Sequence, residues 1–252
     1  LTVEAQEVRV TTDIPVRKLR VKVDSVEALA HDVVRLYLKL PATQRLQYLA
    51  GQYLDFLLSD GRRRSFSIAN SPRPGQCIEL HVRHVDGGAF SGQLFDGIRE
   101  KSLLQIEAPF GQFYLRDSDR PILLVAGGTG FAPIKAILEH AFSAGVRRPL
   151  RLYWGARALR DLYLDALPRH WLQQYPQFDY IPVLSQPDSA DHWHGRAGLV
   201  HDAVAADYDD FSGFDVYAAG PPPMVRALHD TLLSKRLPPK QFFSDPFEYA
   251  RK

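Results

Sequence analysis

Seven residues in the second half of the chain have the types and spacing of an anion cradle: Gly127-Gly128-Thr129-Gly130-Phe131-Ala132-Pro133. They follow the apolar run Ile122-Leu123-Leu124-Val125-Ala126. They precede apolar residues at helical spacing, namely Ile134, Ile137, Leu138, Ala141 and Phe142. Glycines let the backbone turn tightly and approach a pyrophosphate closely, and a helix start offers free N–H groups and a favourable dipole. The pattern reads G-x-G-x-x-P, whereas the common dinucleotide fingerprint ends in Gly or Ala. Taken alone it also fits a plain strand-to-helix connection.

Two further groups carry chemistry. Arg64-Ser65-Phe66-Ser67 follows the turn signal Asp60-Gly61 and reads as a strand. By the two-residue period Arg64 and Phe66 share one face and Ser67 points the other way. An arginine suits a phosphate and an aromatic ring suits a flat ligand. On its own, this string is an ordinary half-exposed strand. The third group, Ala218-Ala219-Gly220-Pro221-Pro222-Pro223-Met224, ends a strand and opens a helix with prolines. A proline at that position has no N–H to lose, and parallel strands bind ligands at their C-terminal ends.

The elements that must position these groups fall into two halves. Leu19-Val21-Val23, Val33–Leu38, Gly51–Leu57, Arg63–Ile68, Ile78–Val85 and Leu103–Ala108 read as six short strands, which predicts a small antiparallel β-barrel. Ser91–Ile98 is expected to be a helical interruption with Ser91 as its cap. From Asp117 onward strand and helix alternate. The helices are expected at Ile134–Ala144, Leu162–Gln174, Leu199–Ala206 and Pro222–Ser234. That alternation predicts a Rossmann-like parallel sheet covered on both faces. The expected domains are a linker or edge segment at 1–15, a barrel at 16–116 and an α/β domain at 117–252.

The three groups occur in a set order, and together they resemble the ferredoxin–NADP reductase superfamily, from about Val16 to about Tyr249. The resemblance implies FAD on the barrel and NADH or NADPH on the α/β domain. Arg64 would contact flavin phosphate, Phe66 would pack on the isoalloxazine or ribityl region, and Ser67 would lie near N5, the atom that receives hydride. His81-Val82-Arg83 resembles the next flavin strand, and Gly87-Gly88 with Ser91 a pyrophosphate loop and helix start. Gly128, Thr129, Gly130 and Pro133 belong to the nicotinamide motif, and Gly220, Pro221 and Met224 would border the nicotinamide. Ser67 and Thr129 are the residues assigned to the reacting region. Ala219 stands where the family usually has cysteine. The tail Phe242–Tyr249 resembles tails that reach back over the flavin, with Phe247 the candidate ring; packing against the barrel is the alternative.

Within the superfamily, Tyr153–Arg157, Asp161-Leu162-Tyr163 and Ser244-Asp245 resemble reductases of the CDP-6-deoxy-glucoseen and phenol hydroxylase kind. That likeness implies an iron–sulfur centre, in a preceding domain or a partner, feeding an oxygenase or deoxysugar pathway. Two alternatives stay open: a reductase that releases free reduced flavin, and a nucleotide-binding redox sensor without turnover. Arg157 and Arg160 would suit a 2′-phosphate and Asp161 opposes one; the resemblance to those reductases favours NADH, with NADPH left open. A chain beginning at Leu1 with Met224 as its single methionine is expected to be part of something longer.

Bulk composition fits this reading. With 45% hydrophobic and 24% charged residues the chain reads as a soluble globular protein, and a net charge of +2 gives no reason to expect nucleic acid or a membrane as partner. A single cysteine, Cys77, rules out an internal disulfide or a cysteine-ligated cluster and suits a reduced, cytoplasmic setting. His192 and His194 lack a third nearby ligand, so no metal is expected there.

Overall fold

Alternation of apolar and polar residues builds the first half. The computed structural model describes residues 14–58, 60–73, 77–84 and 99–246. Its first six strands are β1 (Arg17–Ala30), β2 (Val33–Lys39), β3 (Tyr53–Leu57), β4 (Arg63–Ser67), β5 (Ile78–Arg83) and β6 (Leu103–Phe110). They pair antiparallel in the order β4-β3-β6-β1-β2-β5, and a bridge between Ile68 and Leu80 joins the two outer strands into a barrel. Every second residue of β1 and β5 points inward. Leu19, Val21 and Val23 meet Ile78, Leu80 and Val82 in one buried cluster with Leu36, Leu54, Phe56 and Ile106.

The second half runs β7 (Ile122–Gly127), α1 (Phe131–Ser143), β8 (Leu150–Ala156), α2 (Ala166–Gln174), β9 (Phe178–Leu184), β10 (Arg196–Ala197), α3 (Val200–Asp207), β11 (Asp215–Gly220), α4 (Pro222–Ser234) and β12 (Phe242–Pro246). The strands lie parallel in the order β10-β9-β8-β7-β11-β12. β7 is buried along its whole length because both of its faces are covered. Leu124 and Ala126 enter the cluster on one face with Trp154 and Tyr217, while Leu123 and Val125 enter the cluster on the other with Tyr153 and Val216. No described helix is long and apolar enough to cross a membrane.

The barrel followed by a parallel sheet is the fold expected from the sequence. Three details differ or fall outside. α2 starts at Ala166 rather than Leu162, because Pro168 is tolerated only in a first helical turn. The tail is a strand, β12, paired with β11, and a proline at the end of an edge strand costs no ladder bond. The helix expected at Ser91–Ile98 lies outside the described residues.

Candidate active site

The sheet order places a topological switch point between β7 and β11: the chain runs outward from β7 through β8 and β9, then returns to β11 on the other side. Open parallel sheets bind ligands in the crevice at such a point. Here Gly127 ends β7 and Gly220 ends β11, so close that a Cβ on Gly220 would lie 3.0 Å from Gly127 backbone atoms. The chain then makes a tight 3₁₀ turn, Gly128–Gly130, into α1. Gly128 takes φ +54°, a left-handed conformation that glycine adopts without steric cost. The Trp154 indole donates to the Gly128 carbonyl at 3.0 Å and pins the turn to β8.

A cleft of about 620 Å³ opens above these strand ends. Its walls include Gly127, Gly128, Gly155, Arg157, Asp161, Ser185, His201, Pro221 and Met224, with Arg83 reaching in from the barrel. Helix α3 starts without a side-chain cap, which leaves N–H donors at its first turn, whereas prolines at the starts of α1 and α4 (Pro133; Pro222 and Pro223) remove some of theirs. Three wall residues hold shielded polar atoms with no hydrogen-bond partner among the described residues: Arg83 Nη2, Asp161 Oδ1 and His201 Nδ1. Native structures pair most such atoms, so an unpaired set in one cleft marks where a polar ligand fits. A cation, a carboxylate and an imidazole in one elongated cleft suit a molecule carrying both phosphates and hydroxyl groups.

Barrel residues reach this cleft and its surroundings from β4 and β5. Arg83 Nε lies 3.1 Å from Asp32 Oδ2, and its Nη1 stands 3.0 Å from where a Cβ on Gly128 would be. Ser67, at the end of β4, donates its hydroxyl to Asp245 Oδ2 at 3.0 Å. Asp245 sits in register with Ala219, so the flavin-type strand, the Ala219 position and the tail converge beside the switch point. Burial pushes the Asp245 carboxyl above the usual range, and the Ser67 hydrogen bond only partly offsets this. Arg64 forms no ion pair among the described residues. Phe66 is half-buried and meets Phe56 edge-on at 5.7 Å. The Arg64 guanidinium, which donates to the Arg63 carbonyl at 2.7 Å, the Phe66 ring and the Ser67 hydroxyl are groups that fit a phosphate-bearing flavin.

Other expected site residues are placed differently. The His81 ring is enclosed, with one nitrogen 2.9 Å from Glu79 Oε1 and the other 3.0 Å from the Tyr163 hydroxyl, so only its backbone is left to meet a cofactor. Val82 points into the barrel core and Pro133 is buried in the first turn of α1. Thr129 and Gly130 belong to the turn without lining the cleft. Gly87, Gly88, Ser91 and Phe247 lie outside the described residues. Sequence reasoning named Asp245 only as part of the tail and did not single out Ser185 and His201, which line the cleft. The usable signal was position: Ser185 directly follows a parallel strand and His201 opens a helix beyond one. His31, Asp32 and Asp161 also come within 4.8 Å of one another. Arg83 and Arg157 already pair with the two carboxylates, which makes this an ion cluster bridging the domains.

Comparison with known proteins identifies both halves. The oxidoreductase FAD-binding domain matches residues 20–114 and the oxidoreductase NAD-binding domain matches residues 124–230. The CDP-6-deoxy-L-threo-D-glycero-4-hexulose-3-dehydrase reductase of Yersinia pestis is 42% identical over 226 residues, 90% of this chain and 68% of that protein. The chain belongs to the ferredoxin–NADP reductase superfamily. This reductase is therefore an FAD- and NAD(P)H-dependent oxidoreductase. It is also similar to an NAD(P)H-flavin reductase of Aliivibrio fischeri, 35% identical over 90% of this chain and 98% of that protein. The crystal structure of an Amycolatopsis cytochrome P450 reductase superposes with a TM-score of 0.87 at 34% identity, covering 98% of this chain and 74% of that one. The reductase and that structure share one fold across both domains.

Proposed function

We propose that the reductase binds NADH in the cleft at the switch point, accepts its hydride on a barrel-bound FAD, and passes the electrons to an iron–sulfur centre. The observation that carries this reading is the set of unpaired polar atoms on Arg83, Asp161 and His201 around a glycine turn that the barrel itself helps to wall. Arg64, Phe66 and Ser67 would hold the flavin, within residues 16–116. Residues 117–252 would hold the dinucleotide, with Gly128 at its pyrophosphate in the turn that Thr129 and Gly130 complete, and with Pro221 and Met224, which follow Gly220, beside its nicotinamide. Bound flavin supplies a two-electron acceptor that can release electrons singly. The chain supplies position: Ser67 holds its proton at Oγ toward Asp245, and the glycine turn lets a backbone approach that any side chain would block. The likeness to the Yersinia and Amycolatopsis reductases supports an acceptor in a deoxysugar or oxygenase pathway.

Arg157 is largely exposed and pairs with Asp161, so its charge is already engaged, and Asp161 would repel a 2′-phosphate. Anaerobic titration of the FAD-loaded protein tests both points. NADH should bleach the flavin with kcat/KM at least tenfold above NADPH. Replacing Asp161→Asn should narrow that preference by about tenfold, which corresponds to about 1.4 kcal/mol. Absence of bleaching with either nucleotide would leave a non-catalytic sensor as the better reading. Flavin lost on desalting and turned over as a free substrate would favour release of reduced flavin, as the Aliivibrio likeness suggests.

A further inference from the structure

β5 reads Ile78-Glu79-Leu80-His81-Val82-Arg83, and its apolar residues fill the barrel. The alternate face carries Glu79, His81 and Arg83, and all three are spent on the other domain or its cleft. Glu79 Oε2 lies 3.0 Å from Lys135 Nζ of α1, and Lys135 also donates to the Ala69 carbonyl at 3.0 Å. Lys135 pairs further with Glu139 at 2.7 Å, and Glu139 accepts the Ser71 N–H at 3.1 Å. Burial holds His81 below its usual pKa and therefore neutral, against the opposing hydrogen bond to Glu79. Its Nε2–H then donates to Glu79, and its Nδ1 accepts the Tyr163 hydroxyl. The side chains of Glu79, His81 and Lys135 are each no more than 6% exposed.

The far end of this chain of contacts reaches the glycine turn. The Tyr163 ring stands edge-on to Trp154 at 5.2 Å and to Phe131 at 6.2 Å, and Phe131 stacks on Trp154 at 4.0 Å. Trp154 holds the Gly128 carbonyl and Phe131 is the first residue of α1. One barrel strand thus grips α1 through Lys135, grips the turn through Tyr163, and ends in Arg83 on the cleft wall.

We propose that the side chains of Glu79, His81, Lys135 and Tyr163 position the site for hydride transfer: a buried polar rail between β5 and the second domain that fixes the nicotinamide turn against the flavin domain without itself reacting. The inference rests on the functional reading above. A misplacement of about 1 Å can lower a rate by about a hundredfold while leaving binding intact. The rail therefore predicts effects on the limiting rate more than on affinity.

The test compares wild type with Tyr163→Phe, which removes one hydroxyl and keeps the ring packing. Single-turnover reduction of the FAD-loaded protein by NADH should slow about tenfold at saturation, with the NADH Kd within about twofold of wild type. Before nicotinamide is added, the amides of 127–131 should exchange with solvent faster in the variant. A limiting rate within twofold of wild type, with unchanged exchange, overturns the proposal. The double variant Glu79→Gln with Lys135→Met removes the buried charge pair as a unit and serves as a second check. It should keep its melting midpoint within a few degrees and still show the slowed rate; a wild-type rate there also overturns the proposal. Failure of wild type itself to reduce its flavin would instead sink the functional reading, and the exchange comparison would still decide whether the rail holds the turn.

Discussion

Replacing Gly130 with alanine is expected to abolish nicotinamide-dependent flavin reduction. The backbone at Gly130 is helical, φ −58° and ψ −13°, so alanine meets no torsional strain there. The obstacle is contact. A Cβ would sit 2.0 Å from the Ala219 carbonyl oxygen and 2.8 Å from the Gly220 amide nitrogen. Both are backbone atoms of β11 and cannot rotate away as a side chain tip would. Relief requires moving the turn off the sheet by about an ångström or more, which misaligns the start of α1 and the cleft floor together. The expected result is at least a hundredfold loss in kcat/KM with NADH, about 2.7 kcal/mol or more. FAD content should be preserved, because the barrel does not include this turn. A variant with wild-type kcat/KM and an unchanged melting midpoint would show that the turn relaxes without cost.

This steric reason also explains what the sequence revealed and what it hid. The glycine turn was legible because its cause is local: an apolar strand, three glycines and a helix follow one another within the chain. The β7 and β11 strands were legible for the same reason. β12 was not, since its pairing with β11 is tertiary and Pro246 argues against a strand until its edge position is known. The polar face of β5 misled in a more instructive way. By the two-residue strand period Glu79, His81 and Arg83 share the face away from the barrel core. Alternation does not say whether such a face meets water or a second domain, and here it meets α1 and the residues that follow β8. The family resemblance placed His81 on a flavin strand, and its ring is part of the interface, which leaves the backbone for that role. The contact between Asp245 and Ser67 stayed hidden because the two lie 178 residues apart.

Arg148 governs a different part of the architecture, and its loss should be felt as stability. It precedes β8 and lies beside the linker that joins the domains. Its Nη1 lies 3.0 Å from Asp215 Oδ2, and its guanidinium also donates to the Arg116 and Arg120 carbonyls at 3.0 and 3.3 Å. Asp215 is 1% exposed, and its other carboxylate oxygen has no hydrogen-bond partner among the described residues. Arg148→Met leaves that buried charge uncompensated and frees two linker carbonyls. Breaking a buried pair from one side costs about 3–5 kcal/mol, out of a typical total of about 5–15 kcal/mol. At this chain length the melting midpoint should fall by about 10 °C. Neutralising the partner as well, in Arg148→Met with Asp215→Asn, should recover much of that loss, since the penalty comes from the stranded charge more than from the missing contact. A single variant that melts within about 2 °C of its parent would mean the carboxylate finds water or another partner. The linker would then be held chiefly by the Asp215 N–H to the Pro121 carbonyl and by the Tyr217 hydroxyl that accepts the Arg116 N–H. The double variant separates these accounts, because relief of a stranded charge restores stability while a linker that depends on the guanidinium's own hydrogen bonds stays loose.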